Sequence, residues 1–474
     1  MLKNTKIVAT VGPASSSIEV LKELAISGVN VFRLNFSHGL HSEHKNVIEN
    51  IRKIEKDLGR PLAVMQDLQG PKIRLAQLEN KILLNKGDKI TLYLEGRNVV
   101  ETKNMMIPVQ YDIFPFISKK QRIFINDGLV LLKVVEVHAN YANCLVVTSG
   151  EISSHKGLNL PDSNFINAAF TQKDKKDLLF GLKNNVDYVA LSFVQTEDDI
   201  KNLRETIQKN SKTLPKIVAK IETQQAINNL VPIMEETDAV MVARGDLAIE
   251  ISQEEVPLIQ RRIITLARSM ATPVIVATQM LESMAVNSQP TRAEVNDVAN
   301  AVLENTDAIM LSAETATGNH PIEAVKTMSR IATRIEKHIN ETEINEPSTF
   351  ITRYTEQTAA LAQSATILSK RLKAKAVFNV TPDGFSAIQI AAYRPRMPIV
   401  VATNSLLVSR QLCLVYGIHT FTVEKITDSE SVISSVIKNA KLSSIIPDEG
   451  KIVIVSRLKA KISEESNSIQ VTNL

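Results

Sequence analysis

The sequence predicts an α/β protein: a TIM (β/α)8 barrel with an inserted small β-barrel lid domain and a C-terminal α/β domain. Three observations lead to this prediction. Eight short apolar segments alternate with helical patterns, an insert of some 95 residues interrupts this alternation between the third segment and the fourth, and a new α/β alternation begins beyond about residue 345. At 474 residues, the chain is also too long for one ordinary hydrophobic core.

Each of the eight barrel segments is apolar at its start and gains hydroxyl, amide or charged side chains at its end. They are KIVAT (6–10), NVFRLNFS (30–37), LAVMQD (62–67), DYVALSF (187–193), KIVAKIE (216–222), DAVMVARGD (238–246), PVIVATQ (273–279) and DAIMLSAE (307–314). The carboxyl ends of parallel barrel strands share one face, which carries the active site in such barrels. We therefore expect the polar residues to lie together there.

The spacing predicts three domains. The barrel takes residues 1–70 and 167–345, the lid 71–166, and a regulatory or oligomerisation domain 346–474. The lid is predicted from antiparallel runs with hairpins: KITLYLEG, RIFINDG with its Asp127-Gly128 turn, and LVLLKVVEVHAN. The third domain is predicted from a helix over 355–372 and the strands AVFNVT, PIVVAT and KIVIVS, after the linker EINEPSTF (343–350).

Composition excludes several classes of protein. The 55 basic residues nearly balance the 51 acidic ones, so nothing indicates a nucleic-acid or membrane-surface partner. No apolar run approaches the roughly 20 residues of a membrane span, and no secretory signal is recognised at the start. Cys144 and Cys413 lie far apart in sequence, which favours a reducing cytoplasm over a disulfide framework.

Charged residues at two neighbouring strand ends predict a metal and anion site. Glu222 and Asp246 form a carboxylate pair that suits Mg²⁺, because this ion keeps waters and takes substrate oxygens. Lys220 and Arg33 are predicted to converge on the same point, as for a multiply charged phosphoryl group. The alternative is a structural ring of salt bridges that closes the barrel.

Three hydroxyls and one histidine are weaker candidates. Ser192, Thr278 and Ser312 also end strands. As a set, these hydroxyls would carry a proton or hold a carboxylate; singly, each would satisfy a local backbone group. His38 fits a loop or capping residue better than a metal ligand, since no second histidine has ligand spacing.

Eight motifs, in order and spacing, resemble the pyruvate kinase family. They are RLNFSHG (33–39), DLQGPKIR (67–74), KGLNLP (156–161), KIET (220–223), MVARGDL (241–247), ATQMLESM (277–284), PTRAEVNDVANAV (290–302) and LSAETATGNHP (311–321). The resemblance runs from TKIVATVGPAS to about residue 335 and is looser beyond.

This resemblance implies a reaction and a set of roles. The phosphoryl group of phosphoenolpyruvate passes to ADP, giving pyruvate and ATP in the last step of glycolysis. Glu222 and Asp246 would hold Mg²⁺, or Mn²⁺ in its place, while Lys220 and Arg33 neutralise the phosphoryl group and Lys220 the enolate. Thr278, backed by Ser312, would deliver the proton.

The resemblance also implies binding contacts. The substrate would be bound by Arg33, Ser192, Lys220, Thr278 and the backbone amides of Gly245 and Asp246 at a helix start. The nucleotide would be contacted by Asn35, His38, Arg74 and Lys156. Since Lys156 comes from the far end of the insert, the insert is predicted to close over the nucleotide as a lid. A homotetramer is implied by the family alone.

Two segments depart from the family pattern. Many members carry threonine and glutamate at Leu68 and Lys72, and bind K⁺ beside residues that match Asn35, Ser37 and Asp67. Here the Lys72 ammonium is predicted to stand where K⁺ would sit, with Asp67 as its partner, so K⁺ is not required. The alternative is a Lys72 that points to solvent.

The second departure is in VTPDGFSA (380–387), which matches the effector loop of members activated by a phosphorylated sugar. Thr381 and Ser386 are present, but Asp383 places a negative charge where a phosphate would approach. Such activation is not expected at this loop, and a nucleotide effector or no effector is equally open. Ala313, where the family has glycine, is expected to be tolerated.

The residues alone are also compatible with two other functions. A Mg²⁺-dependent barrel aldolase or lyase acting on pyruvate enolates would use the same lysine and carboxylates, but it has no nucleotide for a lid to cover. A barrel retained as a binding or scaffold protein is the third reading, although no catalytic residue is missing.

Overall fold

A computed structural model of the chain describes residues 3–71, 73–97, 104–126, 128–163, 169–341, 356–425, 429–460 and 463–474. Lys72, Asp127 and the predicted linker 343–350 lie outside these ranges. Within them, no helix is both long and apolar enough to cross a membrane.

Eight parallel strands close into a barrel. They are β1 (Lys6–Val11), β2 (Val31–Asn35), β3 (Ala63–Asp67), β12 (Tyr188–Leu191), β13 (Lys216–Ile221), β14 (Ala239–Ala243), β15 (Val274–Ala277) and β16 (Ala308–Leu311). Around the barrel the order is β1-β16-β15-β14-β13-β12-β3-β2. Neighbours in space are also neighbours in the barrel sequence, as right-handed β–α–β crossovers produce.

The barrel strands are buried on both faces, which is why they read as continuous apolar runs. One face packs on the surrounding helices in the largest hydrophobic cluster, and the other fills the barrel interior. Cys413 and Leu414 of the C-terminal domain belong to the interior cluster. That domain therefore closes the amino end of the barrel.

Eleven helices surround or follow the barrel strands within the described ranges. They are α1 (Ile18–Ser27), α2 (His41–Leu58), α3 (Gln172–Lys183), α4 (Glu197–Asn210), α5 (Gln224–Asn228), α6 (Leu230–Glu236), α7 (Arg244–Glu250), α8 (Val256–Ser269), α9 (Arg292–Leu303), α10 (Ala313–Ala316) and α11 (Pro321–Glu341). Capping boxes fix the starts of α3 and α9, where Thr171 and Thr291 pair with Asp174 and Glu294.

The insert between β3 and α3 is a β domain with its own hydrophobic core. Its strands are β4 (Ile82–Leu84), β5 (Lys89–Leu94), β6 (Met105–Val109), β7 (Arg122–Ile125), β8 (Val130–Val137), β9 (Tyr141–Thr148), β10 (Gly150–Ile152) and β11 (Leu158–Asn159). Six form a sheet in the order β11-β7-β8-β9-β5-β6, and β10 pairs with β4. The predicted β7–β8 hairpin is present, and Gly128 adopts φ 88° in its turn.

The C-terminal domain is a five-stranded sheet with helices. The strands β17 (Ala376–Val380), β18 (Ile399–Thr403), β19 (Ile418–Thr422), β20 (Lys451–Ala460) and β21 (Ser463–Asn473) lie in the order β19-β18-β17-β20-β21. Only the β20–β21 pair is antiparallel among these described strands. The helices are α12 (Glu356–Arg371), α13 (Phe385–Ala392), α14 (Leu406–Gln411) and α15 (Ser429–Leu442).

The predicted fold class is confirmed, with one correction to the strand ends. Several predicted strands are too long, because their polar last residues lie in the following loop or helix. Glu222 comes after β13, Thr278 after β15 and Ser312 after β16, while Arg244–Asp246 is the first turn of α7 and not a strand end. The predicted domain boundaries at 70/71, 166/167 and 345/346 stay predictions.

Candidate active site at the carboxyl end of the barrel

Four neighbouring strands bring Arg33, Asp67, Ser192 and Lys220 into one hydrogen-bonded cluster. Arg33 Nε donates to Asp67 Oδ2 at 2.6 Å, and Lys220 Nζ donates to Ser192 Oγ at 2.7 Å. The Lys220 ammonium also lies 3.6 Å from Asp67 Oδ1. The order β13-β12-β3-β2 explains this convergence. Arg33 lies in the middle of β2, Lys220 is the last residue but one of β13, Asp67 ends β3, and Ser192 follows β12.

The charges of this cluster support one another. Burial opposes ionisation of Asp67, but the cations of Lys220 and Arg33 hold the pKa of this carboxyl below its usual value. Burial likewise opposes the charge of Lys220, yet Asp67, Glu222 and Asp246 raise the pKa of its ammonium. Both side chains are therefore ionised near neutral pH.

Glu222 is the exception in this cluster. Its side chain is fully buried, and Oε1 accepts a hydrogen bond from Phe193 N at 2.7 Å. Oε2 lies 3.3 Å from Lys220 Nζ but makes no hydrogen bond. Burial, opposed by Lys220 and reinforced by Asp246 and Asp67, raises the pKa of Glu222 to about 7. The positive charge around Glu222 is therefore not enough to stabilise its ionised form fully.

These residues fit a divalent cation. Asp246, in the first turn of α7, is close enough for its charge to act on Glu222 and Lys220. When all are ionised, the three carboxylates Glu222, Asp246 and Asp67 carry one more charge than the two cations Arg33 and Lys220. No group of three or more His, Cys, Asp or Glu side chains in the described ranges could hold a metal alone. The pair would thus leave coordination positions for substrate oxygens and water.

Thr278 is held in an uncommon conformation beside α7. Its φ is 68°, in the left-handed region that threonine seldom adopts. Thr278 Oγ1 donates to Ala277 O at 2.6 Å and accepts from Gly245 N at 2.9 Å. The Arg244 guanidinium donates to Thr278 O and, at 2.8 Å, to Asp297. Arg244 and Asp297, which sequence reasoning did not single out, therefore fix this loop.

Ser312 lies at the end of the adjacent strand, and a buried acid positions its backbone. Glu314 Oε2 accepts from Ser312 N at 2.7 Å, and Oε1 accepts from Leu281 N at 3.1 Å. No hydrogen bond joins the side chains of Ser312 and Thr278 among the described residues. Sequence reasoning missed Glu314, although it stands in the LSAETATG motif.

The predicted nucleotide contacts form two separate groups. At the end of β2, Asn35 Oδ1 accepts from Ser37 N at 3.1 Å, and His38, in the loop that follows, is exposed. In the β domain, Arg74 donates to His155 O at 2.8 Å and pairs with Gly157, next to Lys156. Because Asn35 and Asp67 are paired in register, the first group adjoins the charged cluster.

One predicted site residue lies outside the described ranges. This is Lys72, so its proposed contact with Asp67 stays a prediction. Asp67 already has Arg33 and Lys220 as cationic partners, and Leu68, its neighbour, is buried.

Comparison with known proteins decides the family. Residues 2–325 match the family description "Pyruvate kinase, barrel domain", and residues 359–472 match "Pyruvate kinase, alpha/beta domain". The chain belongs to the pyruvate kinase family. Two curated pyruvate kinases cover nearly all of it: that of Geobacillus stearothermophilus is 37% identical over 99% of this chain and 80% of its own length. That of Clostridium acetobutylicum is 35% identical over 99% of both chains.

A solved structure agrees with this family at the level of the fold. A crystal structure of a pyruvate kinase from Cryptosporidium parvum matches with a TM-score of 0.90 at 33% identity, covering 99% of this chain and 96% of that one. The resemblance predicted from eight motifs is thus confirmed. Membership of the pyruvate kinase family also makes the carboxyl end of the barrel, with Lys220 and its neighbours, the candidate active site.

Proposed function

We propose that this chain transfers the phosphoryl group of phosphoenolpyruvate to ADP, giving pyruvate and ATP, with Mg²⁺ and without a requirement for K⁺. The observation that carries this proposal is the cluster in which Arg33 and Lys220 lie against Asp67 and Glu222 at one end of the barrel. Two cations, one buried and one largely buried, beside a carboxylate pair suit a phosphoryl donor, because transfer depends on positioning and charge stabilisation.

In this mechanism, Arg33 and Lys220 are the cationic contacts of the phosphoryl group as its bond to the enol oxygen breaks and its bond to a β-phosphate oxygen of ADP forms. Both side chains are held in place before substrate binds: Arg33 by Asp67 and Thr10, and Lys220 by Ser192. Such preorganised charges stabilise a transition state without reorganisation at the moment of reaction. Lys220 then faces the enolate oxygen that is left.

The second step puts a proton on the methylene carbon of enolpyruvate. Thr278 is the nearest hydroxyl of the β15 end to α7, and its left-handed backbone directs Oγ1 toward Gly245 N. We assign Thr278 to the proton-delivering side, with Ser312 behind it. The amides of Gly245 and Asp246, in the first turn of α7, are proposed to bind the substrate carboxylate.

Glu222 and Asp246 would hold Mg²⁺, whose contribution when bound is Lewis-acid polarisation and neutralisation of phosphoryl charge. The unbonded Glu222 Oε2 supports this assignment, since a buried carboxylate oxygen without a hydrogen bond is costly unless a ligand engages it. Mn²⁺ would bind the same oxygens.

The nucleotide is proposed to bind between the two groups described above. Asn35 and His38 would contact it from the barrel, and Arg74 and Lys156 from the insert, which would close as a lid. Closure would exclude water, and so prevent hydrolysis of the phosphoryl donor.

One assay tests the reaction. Pyruvate formation from phosphoenolpyruvate and ADP with Mg²⁺ is measured for the wild type, for Lys220→Met and for Lys216→Met, a control at the opposite end of the same strand. We expect Lys220→Met to lose a factor of about 10² to 10³ or more, as when a preorganised transition-state donor is removed, and Lys216→Met to stay active. Undiminished activity of Lys220→Met refutes the mechanism.

Independence from K⁺ is proposed on two grounds. Lys72 stands where the family resemblance places a potassium-site glutamate, and Asp67 is already compensated by two cations. We expect the wild type to be equally active in K⁺ and in tetramethylammonium, and Lys72→Glu to become K⁺-dependent. Lys72→Gln is the control for loss of the ammonium alone. A strong K⁺ requirement of the wild type contradicts the proposal.

The aldolase or lyase alternative is not favoured, because both domain matches are to pyruvate kinase. A homotetramer is proposed from the family resemblance, and light scattering of the purified chain tests it.

A further inference from the structure

Residues 36–40 form the loop between β2 and α2, and the backbone of this β2–α2 loop is bonded to helix α3. His38 lies in the loop, and Asn35 directly precedes it. Lys173, in the first turn of α3, donates from Nζ to Phe36 O at 2.6 Å. Since α3 is the first barrel helix after the insert, the loop is held by the element to which the chain returns from the insert.

Asp177 holds Lys173 in this position. Lys173 Nζ donates to Asp177 Oδ2 at 2.7 Å, and Asp177 Oδ1 lies 2.7 Å from His41 Nε2 in a second hydrogen bond. The Asp177 side chain is buried, and its backbone carbonyl accepts from Gln66 Nε2 at 2.7 Å. One buried carboxylate therefore fixes both the lysine that bonds to Phe36 O and the histidine that begins α2.

Aromatic packing restricts the same loop. The buried ring of Phe36 stacks on His44 with centroids 4.2 Å apart, and lies 5.8 Å from the ring of Phe180 in α3. His41 also stacks on Phe180, at 4.3 Å. His44 Nε2 is hydrogen-bonded to His38 O at 3.0 Å. The β2–α2 loop is thus held by α2 and by α3, with Phe36 between them.

Lys173 does not fit a direct ligand of a phosphate. Its ammonium is bonded to a carbonyl oxygen and compensated by the Asp177 carboxylate, so contact with a phosphate would compete with both bonds. The bond to Phe36 O instead orders the loop before a nucleotide binds. Such ordering lowers the entropic cost of binding, because the loop does not have to be fixed at that moment.

We propose that Lys173, held by Asp177, is a positioning residue for the nucleotide. It acts through Phe36 O, and keeps the β2–α2 loop in the conformation in which Asn35 and His38 contact ADP. This inference rests on the proposed function, from which the nucleotide contacts are taken.

The residue next to Lys173 bonds to the segment at which the insert leaves the barrel. Asp174 is buried and accepts from Gly70 N at 3.1 Å. Lys173 and Asp174 therefore bond to the two segments that the proposed barrel and insert contacts of the nucleotide depend on. A substitution of Asp174 would disturb the departure point of the insert, whereas one of Lys173 releases the β2–α2 loop alone, so Lys173 is the residue to test.

The first test is calorimetric titration with ADP and Mg²⁺, for the wild type, Lys173→Met and Lys176→Met. Lys176 is exposed on the same helix and makes no hydrogen bond or ion pair with the β2–α2 loop among the described residues. We expect Lys173→Met to weaken ADP binding about tenfold, as for the loss of one charge-assisted hydrogen bond, and Lys176→Met to bind like the wild type. Lys173→Arg, which keeps a charged donor, should recover part of the affinity.

Steady-state kinetics give a readout that a general loss of stability would not produce. Lys173→Met should raise KM for ADP about tenfold, while kcat and KM for phosphoenolpyruvate change by less than about twofold. A double-mutant cycle with His38→Ala then tests the route. Because Lys173 acts through the loop that carries His38, the two substitutions together should cost less than the product of their separate effects.

Two results would overturn the proposal. One is an ADP affinity of Lys173→Met equal to that of Lys176→Met, and the other is an equal rise in KM for both substrates. If Lys173→Met fails to fold because Asp177 is left without its cation, Lys173→Met combined with Asp177→Asn decides, since it removes the uncompensated charge.

The proposed function fails separately. A wild type that forms pyruvate, with equal ADP affinity in all the variants, refutes only the positioning role of Lys173. A wild type that binds ADP but forms no pyruvate refutes the proposed reaction, and the calorimetric comparison of Lys173→Met with Lys176→Met still decides on the positioning role. A wild type that does not bind ADP refutes both.

Discussion

The buried carboxyl of Glu222 makes a quantitative prediction about stability and pH. Its pKa is raised from 4.5 to about 7 in the folded chain, so the folded state binds this proton more tightly than the unfolded state. Ionisation of Glu222 then opposes folding. The contribution of Glu222 to the free energy of unfolding is most favourable below its unfolded pKa. This contribution declines as pH rises from about 4.5 to about 7, and it is constant at higher pH. At about 1.4 kcal/mol for each pKa unit, the decline amounts to about 3 kcal/mol.

Glu222→Gln isolates this contribution, because glutamine carries no titrating proton. In urea unfolding of the metal-free chain, the stability of Glu222→Gln relative to the wild type should rise by about 3 kcal/mol between about pH 4.5 and about pH 8. Any packing cost of the amide is the same at every pH, so the slope is the measured quantity. Glu205→Gln, which alters an exposed acid, is the control.

Magnesium provides the second arm of this experiment. Because the metal binds ionised carboxylates, Mg²⁺ should stabilise the wild type more at about pH 8 than at about pH 6, and should lose most of this effect in Glu222→Gln. A stability difference that stays flat with pH to within about 1 kcal/mol would refute the assigned ionisation of Glu222.

Three further predictions concern the framework. Arg394→Met should lower the stability of the chain by about 3–5 kcal/mol in urea unfolding, because it leaves the buried Asp307 without its 2.7 Å partner, and Asp307→Asn in the same chain should recover much of the loss. Glu314→Ala should lower kcat by about tenfold with little change in KM, because the Ser312 amide loses its hydrogen-bond acceptor. Glu314→Gln, which keeps an acceptor oxygen, should retain part of the lost kcat. An unchanged kcat in Glu314→Ala argues against this positioning role. Thr171→Ala should destabilise the chain by about 1 kcal/mol through loss of a helix cap, measured by thermal unfolding against Thr171→Ser, which keeps the cap.

The sequence was sufficient to predict the barrel and to place Arg33, Lys220 and Glu222 at one end of it. Strand polarity alone places Arg33, Asp67 and Lys220 toward one face, because each lies in the later part of its apolar run. The contacts of Arg33 and Lys220 with Asp67 were not predicted, since Asp67 was assigned to Lys72. The eight motifs led to the family as well. These signals are local in sequence, so no three-dimensional information was needed to interpret them.

Other parts of the site depend on long-range contacts that periodicity does not encode. The Arg244 guanidinium, at the start of α7, donates to the carbonyl of Thr278 in the loop after β15. Glu314 accepts from Leu281 N, 33 residues away in sequence. Strand ends were misplaced at Arg244–Asp246 because the polar residues that indicated a strand end are also those that begin α7.

The ends of the insert show how so long a segment fits into a closed barrel. Gly70 N donates to Asp174 Oδ1 at 3.1 Å, so the chain leaves the barrel and returns to it at two points that are bonded to each other. About 100 residues are thereby closed into a loop. Loop-closure entropy grows only with the logarithm of length, so this loop costs about 3 kcal/mol more than a loop of about five residues. In evolutionary terms, the barrel could acquire or exchange such a module at this point without altering the strands on either side.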